Sequence, residues 1–170
     1  MQRLVALLRA VNVGGTGKLP MTDLVALCRE AGFDDVRTYI ASGNVVFSTA
    51  LPIAEAKQAL EARLQAYAGK PVPVILRTAD EMQRILAANP FADRDNKSTV
   101  VIFLDTAPPA DTRESATGVA NEEIVLGERE IYVFYAAGQA ASKLKIPAAR
   151  SGTGRNINTV AKLAEMVSKD

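Results

Sequence analysis

The sequence of 170 residues has no histidine, no tryptophan and one cysteine, and aromatic side chains make up only 5% of it. Each scarcity removes a class of chemistry. Without imidazole there is no histidine metal ligand and no Ser-His-Asp relay, so Ser42 and Ser151 lack the usual base. A single thiol, Cys28, cannot form an internal disulfide. No stretch approaches the roughly 18 apolar residues of a membrane span. The opening run "MQRLVALLRAVNV" is broken by Arg9 and lacks a small-residue cleavage pattern, so no signal peptide is expected and the expected location is cytoplasmic.

What is present is the composition of a compact globular chain: 48% apolar and 23% charged residues, with length for one domain or two small subdomains sharing a core. Folding at this size needs no oligomer, and oligomeric state is not readable. Net charge is only +1, but it is unevenly spread. Residues 1–22 hold Arg3, Arg9 and Lys18 without an acid, and residues 131–164 hold Lys143, Lys145, Arg150, Arg155 and Lys162 without an acid. The remaining 114 residues carry 12 basic and 19 acidic side chains. If the two acid-free ends meet, the protein has one basic face.

Periodicity sets out the elements. "RLVALLRAVNV" reads as a central strand, followed by a glycine-rich loop and a helix over about 21–31, on whose apolar face Cys28 lies as a small core residue. "VRTYI" and "NVVFST" alternate as two strands joined through "ASGN". "PIAEAKQALEARLQAYAG" has helical spacing, with Pro52 at its start and Gly69 at its end, and "VPVILRT" is a further strand. The order βαββαβ is ferredoxin-like. After a short helix, "ADEMQRILAAN", the polar stretch "ADRDNKS" marks a boundary between halves at 1–90 and 91–170. Beyond it come strand "TVVIFLD", a helix beginning near "PPADTRESA", strands near 123–127 and 130–136, and a helical C-terminus. The fold class expected is α+β: two ferredoxin-like, βαββα-type halves with antiparallel sheets covered by helices, the second lacking the closing strand.

Two segments carry candidate binding chemistry. "RAVNVGGTGKLPM" fails the Walker pattern, because Asn12 stands where the first glycine belongs and Leu19 replaces the hydroxyl residue. It also fails G-x-G-x-x-G. Its glycines, Lys18 and Pro20 nevertheless suit either a plain turn or an anion held at a helix entrance. "SKLKIPAARSGTGRNINTVAKLAEMV" repeats those ingredients, with Gly152, Gly154 and Arg155 ahead of Asn156 or Asn158 as helix N-cap. Lys143 and Lys145 share a face if "SKLKIP" is extended and diverge by about 200° if it is helical. Ser42, Gly43 and Asn44 offer polar contacts or simply a hairpin turn. Asp34-Asp35 and Glu122-Glu123 are adjacent acids that read as solvated, and no metal site is evident.

Taken in order, "LLRAVNVGGTGKLPM", "VRTYIASGNVVF", "NPF", "SKLKIP" and "TGRNINTVAKL" resemble the bacterial domain-of-unknown-function family 1697. The resemblance implies an α+β architecture with ferredoxin-like halves and no established activity, substrate or cofactor. It implies as signature polar residues Arg9, Asn12, Gly14, Gly15, Lys18, Ser42, Gly43, Asn44, Lys143, Arg155, Asn156 and Asn158. The family usually places tryptophan between the last two asparagines; Ile157 stands there, so no stacking platform comes from that position.

Three functions of different classes follow as expectations. The first is a small phosphate- or carboxylate-bearing ligand in a basic, glycine-rich cleft between the halves, neutralised by Lys18, Lys143 and Arg155. The second is a single-stranded RNA module, which the scarce aromatics and missing RNP signature support less well. The third is a protein-interaction or structural role without a ligand. Whether the protein is an enzyme is left open by the sequence.

Overall fold

The computed structural model describes residues 1–9, 18–41 and 43–168. It divides into two compact units, Met1–Met82 with Leu163–Asp170, and Gln83–Lys162.

The first unit follows the expected order: β1 (Gln2–Leu8), α1 (Met21–Glu30), β2 (Asp34–Thr38), β3 (Asn44–Thr49), α2 (Ile53–Ala68) and β4 (Val74–Thr78). Its antiparallel sheet runs β2-β3-β1-β4, the ferredoxin-like arrangement in which β1 lies between β3 and β4. Leu4, Ala6 and Leu8 of β1 alternate toward the same core as Val45, Phe47, Val74 and Leu76, closed by Leu24, Leu27 and Cys28 of α1 and Ala56, Leu60 and Leu64 of α2. Phe33 stacks on Phe47 with ring centroids 4.0 Å apart. Val5, Leu7, Val46 and Ile75, on the opposite face, are buried too, which is why β1 reads as a continuous apolar run rather than an alternating one.

α3 (Ala79–Ala87) follows β4, and the second unit contributes β5 (Thr99–Phe103), β6 (Glu123–Leu126), β7 (Glu130–Phe134) and β8 (Thr153–Asn156), ahead of α4 (Ile157–Ser168). The unit boundaries fall inside α3 and α4. Its sheet runs β6-β7-β5-β8, so the strand order of the first unit is repeated. Val100, Ile102, Leu104, Ile131, Val133 and Tyr135 form its core.

Two expectations about this unit are corrected. The closing strand is present: β8 pairs antiparallel with β5, Val101 opposite Arg155 and Phe103 opposite Thr153. "TGRN" has weak strand propensity and looks like a helix approach, but tertiary pairing overrides that preference. Gly152 explains the fit, because a Cβ there would stand 2.5 Å from the Phe103 carbonyl oxygen. The helix expected near "PPADTRESA" is absent, and turns join β5 to β6. The hydroxyl of Thr112 donates to the Pro109 carbonyl and that of Ser115 to the Asp111 carboxylate, local bonds that compete with a helical ladder. The β7–β8 connection is likewise not an α-helix but two short 3-10 turns, Gln139–Ala141 and Pro147–Ser151.

Candidate functional site

In the first unit the end of β1 meets the start of β3. The Leu8 N–H donates to the Gly43 carbonyl at 2.9 Å, and the Arg9 N–H to the Pro73 carbonyl at 3.0 Å. Arg9, Gly43 and Asn44 are therefore gathered at one end of this sheet. Asn44 is fully buried, and its Nδ2 donates to the Tyr39 carbonyl at 3.0 Å while the Tyr39 N–H donates back to the Asn44 carbonyl at 3.1 Å. That exchange closes the β2–β3 connection, so Asn44 acts in the fold. Lys18 is exposed just ahead of Pro20, which caps α1 and accepts the Asp23 and Leu24 N–H groups. Asn12, Gly14, Gly15 and Ser42 lie outside the described residues.

In the second unit the C-terminal segment works differently from a glycine loop. Arg155 is buried in β8, where its Nη1 donates to the Thr153 hydroxyl at 2.6 Å and to the Gly154 carbonyl at 2.9 Å. Burial pulls its guanidinium down to about 10, still protonated at neutral pH. Asn156 is the N-cap of α4: its Oδ1 accepts the Asn158 N–H at 2.8 Å, and its Nδ2 donates to the Lys97 carbonyl at 3.1 Å. Asn158 is exposed in the first turn of that helix, and Ile157 is buried.

"SKLKIP" is extended. Lys145 exchanges both backbone hydrogen bonds with Thr117 at 2.9 Å, and Lys143 and Lys145 are exposed while Leu144 and Ile146 turn toward the core. Gly118 makes this crossing feasible: its φ is +71°, and a Cβ would stand 2.1 Å from the Lys143 carbonyl oxygen. Beside the bridge is a surface cavity of about 460 Å³ lined by Thr117, Lys145, Ile146, Pro147, Ala149 and Arg150. Two cations and a hydroxyl stand on an apolar lining, and among the described residues no carboxylate does. Lys145, Arg150 and Thr117 were missed as a set by the glycine-centred reading. The signal for them was the alternation of Lys143, Leu144, Lys145 and Ile146 inside the acid-free stretch.

The chain's residues 1–132 match the family model described as protein of unknown function, DUF1697. The chain belongs to this family. The match stops short of "SKLKIP" and "TGRNINTVAKL", whose surroundings are covered instead by a structural likeness. A solved structure of a conserved bacterial protein from Streptococcus pneumoniae shares 25% identity and a TM-score of 0.82, over 98% of this chain and 99% of that one. No protein with a curated description matches the sequence. The structural likeness thus extends through β8 and α4, beyond the family match, and neither comparison brings an activity with it.

Chemistry at the surface is narrow. Among the described residues no three Cys, Asp or Glu side chains cluster as a metal site, and no helix is long and apolar enough to cross a membrane. Phe33, Phe47, Phe91, Phe103, Phe134, Tyr132 and Tyr135 are all buried, Tyr39 is half-buried and Tyr67 is exposed. Base stacking on these sheets therefore has few ring faces to use.

Proposed function

We propose that this DUF1697 protein binds a small phosphate- or carboxylate-bearing molecule, and that the cavity beside Lys145 receives its charged group. The cavity itself carries the reading: about 460 Å³, with Lys145, Arg150 and Thr117 in its lining and no acid among the described residues. Its volume falls in the range of small-molecule sites, and it sits in a stretch of sequence, 131–164, that contains no acid at all. Lys145 supplies a point charge, Arg150 a planar fork matched to phosphate or carboxylate oxygens, and Thr117 an adaptable hydroxyl. Lys143, exposed two residues from Lys145 on the same extended segment, adds to the field. Lys18 offers a further exposed cation ahead of α1.

The experiment is isothermal titration with inorganic phosphate, pyrophosphate, a nucleoside monophosphate, a sugar phosphate and citrate. At least one should bind, and Lys145→Ala and Arg150→Ala should each weaken it about tenfold with an unchanged circular dichroism melt. Silence across the panel, or variants that bind as well as the parent, would overturn the proposal. Lys18→Ala, measured alongside, reports whether the segment before α1 contributes. Arg155→Ala is a poor probe, because Arg155 is part of the buried sheet.

A further inference from the structure

An edge strand exposes every second backbone N–H and C=O, and proteins generally cover such edges. In the first unit β4 is covered by side chains. The Val74 N–H donates to Glu61 Oε2 at 2.9 Å and the Val74 carbonyl accepts from Lys57 Nζ; the Leu76 carbonyl accepts from Arg77 Nη1 at 3.0 Å; the Thr78 N–H donates to Glu81 Oε1 at 2.9 Å. In the second unit Arg155 Nη1 covers the Gly154 carbonyl of β8. β2 is broken by a register shift between Asp34 and Arg37, with Asp35 at φ +48°.

β6 has no such cover. The Gly127 N–H donates to the Glu130 carbonyl at 2.7 Å, which fixes Val125 with Tyr132 and Glu123 with Phe134 as the hydrogen-bonded pairs of the β6–β7 hairpin. Ile124 and Leu126 therefore turn their N–H and C=O groups away from β7, and no side chain among the described residues meets them. Along this edge lies a groove of about 530 Å³. Val119, 51% exposed, joins Ile124 and Val125 in its apolar lining. Its charged lining is Glu114, Glu122 and Glu123 against one guanidinium, Arg113. Arg94 pairs with Glu123 at 2.8 Å, and the Ser142 hydroxyl and Ala120 N–H donate to the Glu122 carboxylate and keep it ionised.

We propose that β6 takes up an extended segment of a partner protein as an added strand, and that this segment alternates apolar residues with lysine or arginine. Backbone bonds to Ile124 and Leu126 supply the pairing. Alternate apolar side chains enter the groove beside Val119 and Val125, and the cationic ones meet Glu114 and Glu122. The site is independent of the cavity beside Lys145.

The test is fluorescence anisotropy with a labelled synthetic peptide alternating lysine and valine. Two controls accompany it: the same peptide with glutamate for lysine, and one N-methylated at alternate valines. The basic peptide should bind, and both controls should bind at least about tenfold more weakly. Ile124→Pro removes an N–H that the β6–β7 ladder does not use and should abolish binding while the thermal melt is kept. Glu114→Lys, at an exposed position, weakens the basic peptide even if Ile124→Pro fails to fold. No binding, equal binding of the three peptides, or self-association through β6 detected by sedimentation would each overturn the proposal.

Discussion

Arg77 and Arg155 occupy the same position in two separate sheets. Each stands on the closing strand, opposite the middle of the first strand, Arg77 across from Val5 and Arg155 across from Val101. Each bends its Nη1 back to the carbonyl of the preceding residue, Leu76 at 3.0 Å and Gly154 at 2.9 Å. Both are buried, at 1% and 7% exposure, so a charged side chain has been kept inside the protein for a backbone task.

Removing either guanidinium leaves an edge carbonyl and its neighbours without a donor. Arg77→Ala and Arg155→Ala should each cost about 2–4 kcal/mol of stability, seen as a lower urea midpoint at unchanged slope. Variants as stable as the parent would remove the capping role.

Cys28 is fully buried between α1 and the sheet, and burial pushes its thiol up to about 12. The folded state therefore holds the thiol proton more tightly than the unfolded chain does. Its contribution to stability is intact below the unfolded value of about 8.5 and is lost as pH climbs toward the folded value. A colourimetric thiol reagent at pH 8 should leave native protein unmodified and react at once in urea. Rapid labelling of native protein would show an accessible thiolate instead.

Gly152 sets the distance between β8 and β5. An added methyl would meet the Phe103 carbonyl at 2.5 Å and a Leu104 methyl at 2.7 Å. Gly152→Ala should destabilise by about 1–3 kcal/mol, the usual cost of overpacking, and speed amide exchange along β8. Gly154→Ala, whose Cβ would meet the Val100 side chain at 3.3 Å and that of Ile102 at 3.8 Å but no backbone atom, should be milder.

Arg3 ties down the last turn of α4. Its Nε donates to the Val167 carbonyl at 3.0 Å and an Nη to the Met166 carbonyl at 3.2 Å, while Arg37 also reaches the Met166 carbonyl at 3.1 Å. Two cations thus satisfy the orphan carbonyls of the last turn of α4. Arg3→Ala should cost about 1 kcal/mol and raise hydrogen exchange in residues 165–168, with Arg37→Ala adding to it.

The first unit was legible because its signals are local and agree: an apolar β1, Pro52 and Gly69 bounding α2, and Leu60 and Leu64 at helical spacing. The second unit was harder. β8 consists of Thr153, Gly154, Arg155 and Asn156, of which only Thr153 favours a strand, and is held by its pairing with β5. The segment with Thr112 and Ser115 looked helical only until its hydroxyls found carbonyl and carboxylate partners nearby. At the candidate site, charge counting found the acid-free 131–164 stretch and the shared exposure of Lys143 and Lys145 if extended. It read Gly152, Gly154 and Arg155 as a loop where the structure has the start of a strand, because glycine next to arginine looks the same in sequence whether it opens a loop or lets two strands approach.

The most direct measurement is a titration of isotope-labelled protein with pyrophosphate, followed by amide chemical shifts. Pyrophosphate should give saturable shifts centred on Thr117, Lys145 and Arg150, weakened by added salt and absent in Lys145→Glu. Shifts centred elsewhere, or the same shifts in Lys145→Glu, would contradict the proposed binding.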